Sequence, residues 1–183
     1  MPVKEQKKSE RLITPEATAM FVYVWEPRAP INEGGEPQYA ISLLFKKSQF
    51  ADLAKMRLAV KKAQEEKFGT KTNGLKSPFR SADDLESVPP GYKGGFMITA
   101  KSKNKPGIVD ADLNAITEPM EFYPGCKCKA SVTAFAYDKK GSKGVTFLLN
   151  NLQKVKDGTR LDGRKSAEEE FDAVGDEEED PLS

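Results

Sequence analysis

The stretch 125-GCKCKASVTAFAYD-138 decides the fold. Cys126, Cys128, Ala130, Val132, Ala134 and Ala136 are small and apolar, and they alternate with Lys127, Lys129, Ser131, Thr133, Phe135 and Tyr137. Successive side chains on a strand point to opposite faces, so a period of two predicts a long strand with one buried face. The two cysteines stand two apart on that face, with Cα atoms ~6.5–7 Å apart, at or beyond disulfide reach. The chain has no His and no third Cys, so a zinc site lacks its usual ligands. Buried, reduced thiols are expected, and no metal or other cofactor.

Outward from this strand, further stretches rich in aromatic and β-branched residues follow the same logic. They are 17-ATAMFVYVW-25, 38-QYAISLLFKK-47, 95-GFMITAKSK-103 and 145-VTFLLNNLQKVKDG-158. The first two can pair as a hairpin across the Pro- and Gly-containing segment between them. The basic turn 139-KKGSKG-144 leads into the last strand. One helix is expected. Phe50, Leu53, Met56, Val60 and Ala63 recur at steps of three and four after a candidate N-cap, Ser48, and Gly69 can end it. Its other face, with Lys55, Arg57, Lys61, Lys62 and Lys67, reads as solvated. Five or so strands with one strong helix suggest a mainly β fold, a five-stranded open barrel of the oligonucleotide-binding (OB) type with long loops. The strand order does not follow from the pattern.

Charge divides the chain. It carries 29 Lys and Arg against 28 Asp and Glu, a net of +1. Nine of those acids lie in the last 16 residues, where no base occurs: Glu168, Glu169, Glu170, Asp172, Asp176, Glu177, Glu178, Glu179 and Asp180. The body up to residue 167 keeps 19 acids against the 29 bases. A basic body implies a polyanionic partner, and an acidic tail implies a different one. The organisation expected is a flexible basic arm over 1–11, one domain over 12–160 and a disordered acidic tail over 161–183. No apolar run approaches the ~18–20 residues a membrane helix needs, and the polar start is unlike a signal peptide. A cytoplasmic protein is expected.

Nucleic-acid chemistry is written in residues of two kinds. Lys and Arg neutralise phosphates, and exposed rings stack on bases of any sequence. Both recur on the polar face of 126–137, in Lys127, Lys129, Phe135 and Tyr137, and in the adjacent turn, in Lys139, Lys140 and Lys143. They recur again as Lys76, Phe79 and Arg80, as Tyr92 and Lys93, and as Lys101, Lys103 and Lys105. Phe135 and Tyr137 are equally compatible with a second buried face. For Phe21, Tyr23 and Trp25 a core role is at least as well supported.

Three near-motifs carry less. In 69-GTKTNGLKS-77, Leu75 breaks the phosphate-loop spacing and Pro78 follows. In 110-DADLNAITEPME-121 the calcium-loop oxygens are present, but Ala115 stands where a Gly is needed, so an Asx-type turn is expected. Without His, no general base of the commonest kind exists. A non-enzymatic role is expected, although Asp110 and Asp112 leave a Mg²⁺-dependent nuclease as a rival.

The pieces 105-KPGIVDAD-112, 121-EFYPGCKCKASV-132, 137-YDKKGSKGV-145 and 149-LNNLQKVKDG-158 resemble a phage family once known only as a domain of unknown function. It is similar to phage single-stranded-DNA-binding proteins that carry an OB fold and an acidic C-terminal tail. The likeness is strong over 105–160 and moderate over 12–68. It implies sequence-tolerant binding of single-stranded DNA in phage replication, recombination or repair, with the basic and aromatic residues of 127–143 on DNA. Set against the basic body, the acidic tail is expected to compete with DNA for the cationic groove and to dock replication proteins such as a polymerase, a helicase/primase or a nuclease. Such tails often finish on an aromatic residue. Here the only tail aromatic is Phe171, and the chain ends Pro181-Leu182-Ser183. A protein-docking adaptor without strong DNA binding is the alternative, and a homodimer stays open.

Overall fold

The computed structural model describes residues 10–30, 34–164 and 167–175. Among them eight strands form one sheet: β1 (Leu12–Ile13), β2 (Ala17–Arg28), β3 (Gln38–Phe45), β4 (Arg80–Ser81), β5 (Phe96–Ser102), β6 (Gly107–Val109), β7 (Lys127–Lys139) and β8 (Ser142–Lys156). Five of them close a ring in the order β2-β3-β5-β8-β7, because β7 pairs with both β8 and β2. All contacts in the ring are antiparallel except β5–β8, which is parallel. This is the mainly β, OB-type ring expected, with three short strands added at its margins.

The alternation read in 126–137 sets the ring's interior. Cys126, Cys128, Ala130, Val132 and Ala134 are buried, while Lys127, Lys129, Ser131, Thr133, Phe135 and Tyr137 point out. The small inward residues of β7 leave room for larger ones elsewhere. Phe45, Ile41 and Leu43 come from β3, Ile98 from β5, and Phe147 from β8. Both thiols are free, and burial pushes their pKa values up. Neutral thiols in this setting behave as small hydrophobes.

The helix α1 (Ala54–Phe68) packs against β7 and β8 and adds Met56 and Val60 to the core, together with Leu53 just before its first turn. Burying each of these contributes about 1.5–3 kcal/mol relative to exposure. Its start differs from the expectation. Two short 3₁₀ turns, Lys47–Gln49 and Ala51–Leu53, precede it, and Ser48 makes no cap. Gln49 Oε1 instead accepts the Lys46 N–H at 2.8 Å. Phe50 is therefore turned out of the helical face, and the Arg57 guanidinium lies 3.7 Å over its ring. Lys55, Lys61, Lys62 and Lys67 are exposed as expected. Gly69 ends the helix, donating its N–H to Glu65 O at 2.9 Å.

The long segment between α1 and β5 has its own apolar contacts. Ala82 and Tyr92 pack on Leu44 and Met97, on the outside of the ring. That cover explains why β3 is buried on both faces. The connection 110–121 holds the expected Asx turn: Asp110 Oδ1 accepts the N–H groups of Asp112 and Asn114, each at 2.9 Å. The Asn114 backbone bond is the larger cause holding the Asp110 carboxyl below the usual range. Beyond β8 the chain folds back. Leu161 N–H reaches Pro124 O at 2.9 Å, so packing continues past Thr159. Residues 1–9, most of the expected basic arm, lie outside the described residues.

Candidate nucleic-acid interface

The ring pairings place a row of three residues on its outer face. Tyr23 of β2 pairs with Ala40 of β3, and Ala40 with Lys101 of β5. Residues paired across a sheet share a face, and neighbouring strands lie ~4.8 Å apart. Tyr23 and Lys101 thus flank the small, buried Ala40 at roughly 10 Å from one another. Tyr23 is 37% exposed and Lys101 is exposed. The Arg28 guanidinium stands 5.4 Å from the Tyr23 ring. Ser42 and Thr99, joined by a 3.0 Å hydrogen bond, form the next row toward the covered end.

A β-bulge produces this face. The β2–β3 register slips between Met20 and Tyr23, and Phe21 sits there at φ 48. Left-handed backbone is uncommon for a bulky residue and costs of order 1–3 kcal/mol. The slip returns Tyr23 to the outer face and leaves Phe21 47% exposed. Val24 then points into the core. Sequence reasoning missed Phe21 and Tyr23 as surface rings because an alternation count across β2 ignores the inserted residue. The signal that remained was Arg28 at the strand's end, a cation close to the rings in sequence.

Lys103 and Lys105 continue from Lys101. Lys103 meets Glu36 at 3.8 Å with both side chains well exposed, a contact worth about 0–1 kcal/mol. Lys105 Nζ lies 5.6 Å from the Trp25 ring, whose Nε1–H donates to Phe122 O at 3.1 Å. A second basic group forms at the β7–β8 hairpin. Lys140 and Gly141 both have positive φ, 49 and 83, and make the two-residue turn. Lys139, Lys140 and Lys143 are exposed there. Lys143 is 3.9 Å from Asp138. Lys76 joins them: its N–H donates to Lys143 O at 2.9 Å, and its Nζ reaches Ser142 Oγ at 3.1 Å. Tyr137 is half-buried beside this group, with its hydroxyl over Gly144. Because β5 and β8 run parallel with Lys101 opposite Leu148, the hairpin tip lies about 16 Å along the strands from the Lys101 end.

The remaining sequence candidates are placed elsewhere. Tyr92 is only 5% exposed, and its hydroxyl contacts Thr18 Oγ1. Lys127 Nζ donates to that Tyr92 hydroxyl at 3.0 Å and also to Thr18 Oγ1. Both residues are held in one polar knot. Phe79 is half-buried and meets Phe147 edge-on, with centroids 5.8 Å apart. Arg80 and Lys93 are exposed on the covering segment, and Lys129 is half-buried on β7. Phe135 is 47% exposed in a groove between β7 and α1, away from the Tyr23 row. In the tail, Glu168, Glu170, Phe171 and Asp172 are exposed around a single helical turn, α2 (Ala167–Glu170). The Glu169 side chain and Asp176, Glu177, Glu178, Glu179 and Asp180 lie outside the described residues. No described helix is long and apolar enough to cross a membrane.

Comparison with known proteins agrees with this architecture. A family model described as Enterobacter phage Enc34, ssDNA-binding protein, matches residues 10–182. Putative protein p50 of Acyrthosiphon pisum secondary endosymbiont phage 1 is 28% identical over 174 residues, covering 88% of this chain and 92% of that protein. The single-stranded DNA-binding protein from bacteriophage Enc34, solved in complex with ssDNA, superposes with a TM-score of 0.69 at 20% identity, over 82% of this chain and 89% of that one. The single-stranded DNA binding protein gp2.5 encoded by bacteriophage T7 superposes with a TM-score of 0.63 at 15% identity, over 92% and 97%. The two superpositions establish the shared fold. With the family match spanning nearly its whole length, the chain belongs to the Enterobacter phage Enc34 ssDNA-binding protein family.

Proposed function

We propose that this chain binds single-stranded DNA without sequence preference, as a non-enzymatic protein of phage DNA replication or recombination. The observation that carries the proposal is the outer-face row in which exposed Tyr23 and Lys101 flank the small, buried Ala40, with Arg28 beside the ring. OB folds use the face of their second and third strands, flanked by the first and fourth connections, to hold oligonucleotides. Here β3 and β5 are those strands, and the Lys140–Gly141 turn is the fourth connection. Phe21 and Tyr23 supply stacking rings, and Lys101, Lys103 and Lys105 supply phosphate contacts. The cluster of Lys76, Lys139, Lys140 and Lys143 extends the cationic path. Membership of a family named for single-stranded DNA binding, rather than for a reaction, supports the same reading.

The acidic tail fits a second role in this proposal. A segment with nine acids and no base competes with DNA for the cationic path when DNA is absent. It is released to a replication protein when DNA binds. Phe171, 72% exposed, is the residue in the described tail best suited to anchor in a partner's apolar pocket.

Fluorescence anisotropy with a labelled oligothymidylate across a salt series tests the proposal. Affinity is expected to fall steeply with salt, with a slope of roughly −0.7 per contacted phosphate. Absent or salt-insensitive binding would sink it, and partner capture that survives nuclease would then favour the adaptor.

A further inference from the structure

A groove of about 950 Å³ runs between α1 and the outer edge of β7, away from the Tyr23 row. Two large apolar side chains line it in contact with solvent, Leu58 at 59% and Phe135 at 47% exposure. Exposed apolar side chains gathered on one concave surface mark a place that something covers. Lys55, Lys62 and Lys67 of α1 line the same groove. Among the described residues none of the three is in an ion pair. Glu10 and Glu66 are the acids on its rim, and the exposed Lys139 and Lys140 follow along β7 at the hairpin. The β7 side is also an open sheet edge. β2 takes Lys127 and Cys128, β1 takes Ser131 and Val132, and among the described residues nothing pairs from Thr133 to Lys139. Such an edge offers backbone hydrogen bonds to an extended segment. The groove therefore suits a segment that is extended, apolar and acidic.

The chain itself carries one. Phe171 and Val174 are 72% and 98% exposed, and they stand among Glu168, Glu170 and Asp172 with no base after Lys165. The segment can reach. Leu161 N–H is tied to Pro124 O at 2.9 Å, just before β7 begins. Extended chain from Leu161 to Phe171 spans about 33–36 Å, and the strand from Pro124 to Ala134 in the groove covers about 33 Å. Only the single turn α2 must open, and it is closed by the Phe171 N–H bond to Ala167 O at 3.0 Å. One isolated helical turn has little stability of its own. We propose that residues 170–174 dock in this groove of their own chain as an extended segment, with Phe171 against Leu58 and Phe135 and with Glu170 and Asp172 toward the three lysines of α1. The inference rests on the tail role proposed above and gives that role an apolar anchor outside the Tyr23 row. Apolar burial holds the anchor where salt screens charge pairs. Anchoring at Phe171 keeps the tail's acids at high local concentration on the body.

Paramagnetic NMR on the full chain without DNA tests this. Cys126 and Cys128 are buried, so a nitroxide on Ala173→Cys labels the tail alone. The label is expected to broaden the Leu58 methyl signals and the amides of Ala134 and Ala136, and to leave Tyr23 and Lys101 nearly unchanged. Phe171→Ala in the labelled chain should abolish the broadening, whereas Phe171→Leu, which keeps an apolar anchor, should retain it. Leu58→Gln, at an exposed position that the fold does not need, should weaken it at Ala134 and Ala136. No broadening in the groove, or broadening indifferent to Phe171→Ala, overturns the docking. Broadening centred on Tyr23 and Lys101 means that charge alone holds the tail on the DNA path, and overturns it too. So does broadening of an unlabelled, isotope-enriched chain mixed with the labelled one, which assigns the groove to a second copy's tail. Anisotropy with oligothymidylate separates the two readings. A chain ending at Lys165 that binds more tightly, with no broadening in the groove, keeps the tail role and removes the docking. Absent DNA binding sinks the DNA reading and leaves a docking measured without DNA in place.

Discussion

Tyr23 is the residue on which the DNA-binding proposal turns. Its ring is exposed, cross-strand from Ala40, and within reach of Arg28. Tyr23→Ala should weaken oligothymidylate binding by ~1–3 kcal/mol, roughly five- to 150-fold, if one base stacks there. The melting temperature should hardly move, since the ring contributes little to the core. Anisotropy and a thermal melt read the two effects separately. Phe21 offers a complementary test. At φ 48 a glycine relieves backbone strain that an alanine retains. Phe21→Gly is expected to melt above Phe21→Ala, an order that ordinary strand propensity would reverse. Asp157 sets a pH dependence. Lys154, 2.7 Å away, is the main cause holding its carboxyl below the ordinary 3.8, and the Tyr123 hydroxyl adds to it. The depressed value means stability that is present above 3.8 and is lost as pH falls through the folded pKa. Tyr123 runs the opposite way. Burial first, and then the bond to Asp157, raise it above 10.0, so its contribution holds below 10 and fades as pH rises past the raised value. Urea unfolding from pH 3 to 7 should show native chain and Asp157→Asn diverging toward neutral pH and converging in acid.

At the scale of elements, the β7–β8 hairpin and the 123–125 corner depend on different physics. The hairpin tip is held by a two-residue turn and presents Lys139 and Lys140 to solvent. Replacing both with Gln should leave folding unchanged and lower the salt slope of binding by up to ~1.4, which is 0.7 for each lost phosphate contact. An unchanged slope would put the tip off the DNA path. The corner works through close backbone approach. A Cβ on Gly125 would lie 1.9 Å from Thr159 O, and one on Gly158 would lie 2.0 Å from Gly125 O. Neither position admits a side chain without separating the two strands of chain. Gly158→Ala should therefore lower the melting temperature by several degrees, an effect of ~1–3 kcal/mol. It should not change DNA affinity at temperatures where the chain stays folded.

At the scale of the whole molecule, the charge division makes the strongest claim. A chain ending at Lys165 keeps the contact of Leu161 with Pro124 and loses the nine clustered acids. It should bind oligothymidylate more tightly than the full chain, most of all at low salt, where screening of tail and groove is weakest. Equal affinity at every salt concentration would leave the tail a partner-docking role alone.

The sequence by itself determined the elements that local chemistry controls. The period of two in 126–137 fixed β7 and its buried face, the three-four spacing of Leu53, Met56 and Val60 fixed the core face of α1, and the charge count separated body from tail. Each depends on neighbours in the chain, so each is written there. The tertiary structure alone decided which side chains meet. Tyr92 and Lys127 read as exposed binders, but the fold brings Tyr92, 74 residues from Thr18, and Lys127, 109 residues from it, together in one largely buried knot. Tyr23 reads as core until the bulge at Phe21 shifts its register by one residue. With a side-chain period of two, one inserted residue exchanges inside for outside. Its location is set by how β2 must bend to pair with β3 and β7 together, a long-range constraint that no local pattern carries.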